Sequence, residues 1–191
     1  MAEKPIVFSG WKVRAIYAGA DVTRRLMNPQ PRLLLRSEQC SATGNAEVQP
    51  VQPRYHKGDI LYVKEAWRTF EIYDGLKPSE LLGQTPTPSI SYMERPGNPS
   101  IHWGRYRHAR FMCKWMSRLW LRVTEEPTPE RVRDITEAEA IREGVEPMID
   151  GLSYTHTTSF AHVWVTIHGL DSWERDWVWR YAFERMEAPD A

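Results

Sequence analysis

The chain has 191 residues with 25 basic and 25 acidic side chains, so attraction of the whole molecule to nucleic acid or an anionic membrane is not supported and any such binding must be local. Hydrophobic residues make up 41% and charged residues 26%, a composition that folds, and the length suits a single domain over 1–191. Two cysteines, Cys40 and Cys113, make no disulfide framework, no charged-then-apolar leader is present, and no apolar run approaches the roughly 18 residues of a membrane span. The expectation is a cytoplasmic protein without membrane contact.

In chain order, Ile6-Val7-Phe8 reads as a short strand, and Ser9 as the N-cap of a helix reaching about Ala18, which Gly19 ends. Trp11, Ala15 and Ala18, or Val13, Ile16 and Tyr17, stand at helical spacing. Thr23-Arg24-Arg25 then reads as a turn. A strand is expected at Arg32 to Arg36, and polar-rich Ser37 to Pro53 reads as surface loop within an excursion near 37–56. Lys57-Gly58 is a turn signal before a continuous strand from Asp59 to Trp67. Pro78, Pro86, Pro88, Pro96 and Pro99 punctuate a second excursion, near 75–111. Arg118 to Val123 alternates as a strand, with Leu119, Leu121 and Val123 on one face. Thr136-Glu-Ala-Glu139 is a capping box opening a helix that Gly144 closes, and Phe160, Val163, Trp164 and Ile167 form the stripe of another helix. A last strand runs from Trp177 to Arg185. Strands scattered between short helices, without βαβ alternation, predict an α+β fold or a small β-barrel with flanking short helices.

Glu65 is the first candidate for chemistry. Strand alternation puts its carboxylate beside Leu61, Val63 and Trp67, with Lys64 on the opposite face. A carboxylate among apolar groups either takes up a proton or is held by a cation, so Glu65 is a structural ion-pair member, a general acid/base, or an acceptor for a base's exocyclic amine. Thr23, Arg24 and Arg25 are the natural partners, since guanidinium forks bind carboxylate or phosphate and threonine offers a hydroxyl. A third feature is charge segregation: Arg95 to Thr124 contains no acid, yet holds seven lysines and arginines, among them Arg105 and Lys114, with His102 and His108, interleaved with Trp103, Tyr106, Phe111, Trp115 and Trp120. Cations with stacking surfaces describe a nucleotide groove, or else pair with the acidic stretch Glu125 to Asp150. No metal-ligand spacing, Gly-rich phosphate loop or serine-nucleophile signature occurs, and neither a metal nor a cofactor is expected.

Phe8-Ser-Gly, Val13-Arg-Ala-Ile, Gly19, Thr23-Arg-Arg and Lys57-Gly-Asp-Ile-Leu-Tyr-Val-Lys-Glu-Ala-Trp67 together resemble the ASCH domain of the PUA-like superfamily. Nearer still are the ASCH-like proteins of bacteriophages and prophages, similar also over Pro99 to His102, Met112 to Val123, Asp134 to Val145 and Trp173 to Trp179. The resemblance implies a β-barrel with a cleft suited to RNA or a nucleoside. One branch of the family is an amidohydrolase that deacetylates cytidine acetylated on its exocyclic amine, using a glutamate, a threonine and a lysine three residues earlier. Thr23 matches the threonine, but the position of the lysine is Ala20, and Lys12 or Lys64 would have to supply the amine.

Three functions follow as expectations. One is a binding module for nucleic acid or a nucleoside, RNA or a modified base, with Arg24, Arg25, His102, Arg105 and Lys114 on phosphates, Trp67 or Trp103 stacking a base, and Glu65 accepting from an amine. Another is an amidohydrolase for N4-acylated cytidine using Thr23 and Glu65. The third is a phage accessory protein that binds a host protein through exposed aromatics.

Overall fold

A computed structural model describes residues 3–28, 30, 51–92, 102–147 and 155–189. The strand expected at Arg32 to Arg36, most of the 37–56 excursion, and Arg95 and Pro99 lie outside them.

The fold is α+β. β1 (Glu3–Val7) runs parallel to β3 (Ile60–Lys64), which pairs antiparallel with β6 (Trp120–Val123). β6 pairs with the ten-residue β8 (Trp177–Met186), whose other edge takes β2 (Val22–Leu26); the path is β1-β3-β6-β8-β2, and β7 (Thr128–Arg131) joins the near end of β8. Among the described residues no backbone pairing joins β1 to β2, so the sheet is not a closed barrel. Its ends nevertheless approach, because the Arg25 guanidinium donates to the Val7 carbonyl at 2.9 Å. The inward faces of four strands, β1, β3, β6 and β8, meet α1 (Gly10–Ala18) in one core of Ile6, Val13, Ile16, Leu61, Val63, Leu121, Val123, Tyr181 and Phe183. Burying such aliphatic and aromatic side chains supplies about 1.5–3 kcal/mol each.

A second core lies on the far side of β8. There Val178 meets α2 (Glu137–Glu143) and α3 (His156–His168), through Ala140, Phe160 and Trp164. The capping box stands as read, with the Glu139 amide donating to the Thr136 hydroxyl at 3.3 Å, and Gly144 ends α2 at φ 80°. A short α4 (Ser172–Arg175) precedes β8. No helix among the described residues is long and apolar enough to cross a membrane.

Two local expectations change. Thr23-Arg24-Arg25 is not a turn but the middle of β2, because Gly19 takes up the reversal at φ 116° and leaves the next residues to pair with β8. The strand from Asp59 to Trp67 breaks after Lys64, and Trp67–Arg68 forms β4, paired with β5 (Ser91–Tyr92) in a separate two-stranded sheet. The break lets the Glu65 carboxylate reach Arg118, while Trp67 turns into a third core with Leu81, Met112 and Met116.

Candidate active site

β8 satisfies one edge of β2; the other edge is closed by side chains rather than by a strand. Lys12, near the start of α1, donates from Nζ to the Val22 carbonyl at 2.7 Å, and the Arg24 amide donates to Glu143 Oε1 at 3.2 Å. Lys12 also donates to the Glu143 backbone carbonyl at 2.7 Å and pairs with Glu143 Oε1 at 3.1 Å. The ammonium's three N–H bonds thus have three acceptors, and an exposed strand edge is covered by two opposite charges. Lys12 and Glu143 are both 3% exposed. Burial pushes the Lys12 amine below its ordinary range, opposed by the Glu143 carboxylate beside it.

Glu143 gets this close because the residue after it has no side chain. A Cβ on Gly144 would stand 2.5 Å from the Ala15 Cβ and 2.8 Å from the Ala20 Cβ, so only glycine lets the end of α2 press on α1. Ala20, where the resemblance would put the lysine, is itself buried. Arg142 fastens the same joint, donating to both Asp21 carboxylate oxygens, from Nε at 2.9 Å and from Nη2 at 2.8 Å.

Arg24 is enclosed by carboxylates: Nε to Glu130 at 2.5 Å, Nη2 to Glu139 at 3.2 Å and Nη1 to Glu143 at 3.4 Å. The Nη2 contact is close enough for an ion pair but lacks hydrogen-bond alignment, so its value is Coulombic. The Arg24 side chain is fully buried and held by these acids rather than by Glu65, and it also borders the cavity described next. Burial raises the Glu130 carboxyl, with Arg24 pulling the other way.

Beside this network lies a cavity of about 180 Å³ between the end of β1, the start of α1, β2 and α3. Val7, Phe8, Trp11, Phe160, Trp164 and Ile167 form its apolar wall, and Lys12, Thr23, Arg25, Glu143 and His168 its polar one. Thr23 is 3% exposed, and its hydroxyl makes no hydrogen bond among the described residues. Arg25 lies over the Phe8 ring at 5.4 Å, and its guanidinium pairs with no carboxylate among them. Burial lowers the His168 imidazole, which packs 4.2 Å from the Trp164 ring.

The other residues named from sequence do not converge here. Glu65 is 1% exposed and bound by Arg118, Nε to Oε1 and Nη2 to Oε2 both at 2.9 Å: the structural ion pair, with a partner other than the triplet. Tyr92 lies under that guanidinium at 4.3 Å, and burial followed by the Glu65 charge pushes its hydroxyl up to about 12. Lys64 donates to the Arg110 carbonyl at 2.6 Å. Trp67 is 0% exposed and offers no face to a base.

Trp103 stacks on Phe70 at 5.4 Å, next to exposed His102. Arg105 donates to the Asp74 carbonyl at 3.1 Å, and Lys114 pairs with Glu3. Among the described residues the acids paired with this basic segment are Glu3, Glu65, Asp74 and Glu184. Members of the acidic stretch Glu125 to Asp150 turn to Arg24, Arg180 and Lys12 instead.

Sequence reasoning missed Glu143 and undervalued Lys12. A signal existed for the lysine: it stands three and four residues before Ala15 and Ile16, on the buried side of α1. For Glu143 the only cue is its place three residues after Ala140, at the end of a helix. Among the described residues no group of three or more histidines, cysteines or acids could hold a metal ion. Comparison of the chain with protein-family models, with curated proteins and with solved structures gives no match.

Proposed function

We propose that the cavity is a nucleoside site of the PUA-like, ASCH type, and that Lys12, Thr23 and Glu143 make it an amidohydrolase for N4-acylated cytosine nucleosides. The observation that carries this reading is that a lysine, a threonine and a glutamate, which no sequence spacing unites, wall one cavity, and that the threonine hydroxyl alone among them has no hydrogen-bond partner among the described residues. The cavity is smaller than a typical drug-sized pocket, which suits one heterocycle between apolar walls.

The chemistry requires neutral Lys12, which burial favours. A neutral amine keeps two N–H donors for the Val22 and Glu143 carbonyls and frees a lone pair. Thr23 Oγ1 attacks the acyl carbon and gives its proton to Lys12 Nζ. The bond to the cytosine exocyclic nitrogen then breaks, that nitrogen taking the proton from Lys12. Water hydrolyses the threonyl ester, releasing the carboxylic acid and restoring Thr23. Glu143 positions the lysine and holds the edge of β2. Incubation with N4-acetylcytidine followed by chromatography tests this: the protein is expected to release cytidine and Thr23→Val to release none, whereas equal release by both removes Thr23 from the reaction.

A second reading, single-stranded nucleic-acid binding, is favoured by one feature outside the cavity. Arg68 lies 5.4 Å from the Trp103 ring and 4.6 Å from the exposed Tyr106 ring, and its buried Nε has no hydrogen-bond partner among the described residues. Quenching of tryptophan fluorescence by single-stranded RNA or DNA at low salt, weakened by Arg68→Ala, is the expected result; no quenching removes this reading.

A further inference from the structure

Lys12 and Arg24 already face Glu143, Glu139 and Glu130, so a ligand can add little to their pairing. Arg25 differs. Its one protein acceptor is the Val7 carbonyl, at 2.9 Å, and the Phe8 ring backs the guanidinium at 5.4 Å. That bond and that ring fix the fork, while its remaining N–H donors have no acceptor among the described residues. Burial first, and the Arg54 charge after it, lower the Arg25 guanidinium, while Tyr55 and the Glu143 carboxylate act in the opposite sense. Arg54 is exposed, lies over the Tyr55 ring at 5.5 Å, and its guanidinium likewise pairs with no carboxylate among the described residues. Arg25, which lines the cavity, therefore carries a charge to which no carboxylate is bonded among the described residues.

From this arrangement we infer that the cavity takes a phosphorylated substrate, a cytosine nucleoside 5′-monophosphate, with the phosphate held by Arg25 and supported by Arg54. A phosphomonoester is close to a dianion at neutral pH and accepts from a planar guanidinium fork through two oxygens, a geometry that a neutral ribose hydroxyl cannot match. The apolar wall then faces the base and Thr23 the acyl group, with the phosphate toward β1. This inference rests on the nucleoside reading of the same cavity and narrows its substrate class from nucleosides to nucleotides.

Isothermal titration of the full chain with cytidine, with cytidine 5′-monophosphate and with inorganic phosphate separates the two claims. The expected result is that the monophosphate binds at least tenfold more tightly than cytidine, with phosphate alone weak, and that Arg25→Gln erases this advantage. Arg54→Gln changes an exposed side chain and should cut the advantage severalfold without threatening the fold. Equal affinity for the two cytosine compounds overturns the phosphate assignment and leaves the nucleoside reading standing. An advantage that survives both substitutions also overturns it, and no binding of either cytosine compound overturns both claims.

Discussion

Glu65 and Glu143 are buried to nearly the same degree, at 1% and 3% exposure, and each faces an arginine, yet the two regions do different work. The Glu65 carboxylate is closed: Arg118 takes both oxygens and Tyr92 covers the guanidinium. Around Glu143 the charges are shared among Lys12, Arg24, Glu130 and Glu139, and next to them stand a cavity and, with no partner for them among the described residues, a threonine hydroxyl and further donors of an arginine. Burial of a charge is therefore no guide to function in this molecule. The distinguishing signs are groups left without protein partners and room for something to meet them.

The largest effect that would sharpen this contrast is on turnover. Lys12→Met removes the proposed base and should lower kcat for an acylated cytosine substrate by about 10²–10⁴-fold, the usual worth of general acid–base catalysis. Calorimetric binding of the deacylated product should survive; if kcat is unchanged, Lys12 belongs to the strand edge alone. At the other region, Glu65→Ala removes a buried carboxylate that takes two hydrogen bonds from Arg118 and should cost about 3–5 kcal/mol in denaturant unfolding, with kcat of the folded protein unaltered. Loss of kcat at full stability would merge the two regions into one site. Gly144→Ala forces a Cβ against Ala15 and Ala20 at positive φ, so about 1–3 kcal/mol of stability should be lost, together with activity, as α2 moves off α1.

Because folding lowers the Lys12 pKa, the neutral amine becomes available at a lower pH than for free lysine. The rate should then rise about tenfold per pH unit, about 1.4 kcal/mol in barrier terms, and level off below the ordinary lysine range. The same shift makes the unfolded chain bind the extra proton, so Lys12 contributes stability that is present above the ordinary lysine pKa and lost as pH falls through the lowered one. A profile flat with pH would exclude Lys12 as the base. At the small end, Lys114→Ala breaks the half-exposed pair with Glu3 and the contact of its ammonium with the Trp120 ring, and should change stability by about 0–1 kcal/mol.

Local grammar carried much of the fold. Gly19, the capping box at Thr136 and the alternation around Leu119 to Val123 each act within a few residues, and each stands where it was read. What escaped is set by distant partners. Whether a polar run such as Thr23-Arg24-Arg25 turns or pairs depends on β8, which begins more than 150 residues later, since register with Trp179, Arg180 and Tyr181 makes it a strand. The strand through Glu65 breaks because a carboxylate 53 residues from Arg118 must reach it. Lys12 and Glu143 are 131 residues apart, and only the Gly144 contact with α1, itself a tertiary event, brings them together.

The most direct measurement is release of cytidine from N4-acetylcytidine, followed by chromatography for the wild type, Thr23→Val and Glu65→Gln side by side. Wild type and Glu65→Gln are predicted to turn over alike, per folded molecule, while Thr23→Val is inactive but still binds cytidine. Turnover that persists in Thr23→Val, or that vanishes in a stably folded Glu65→Gln, would contradict the assignment of the chemistry to the cavity beside Glu143.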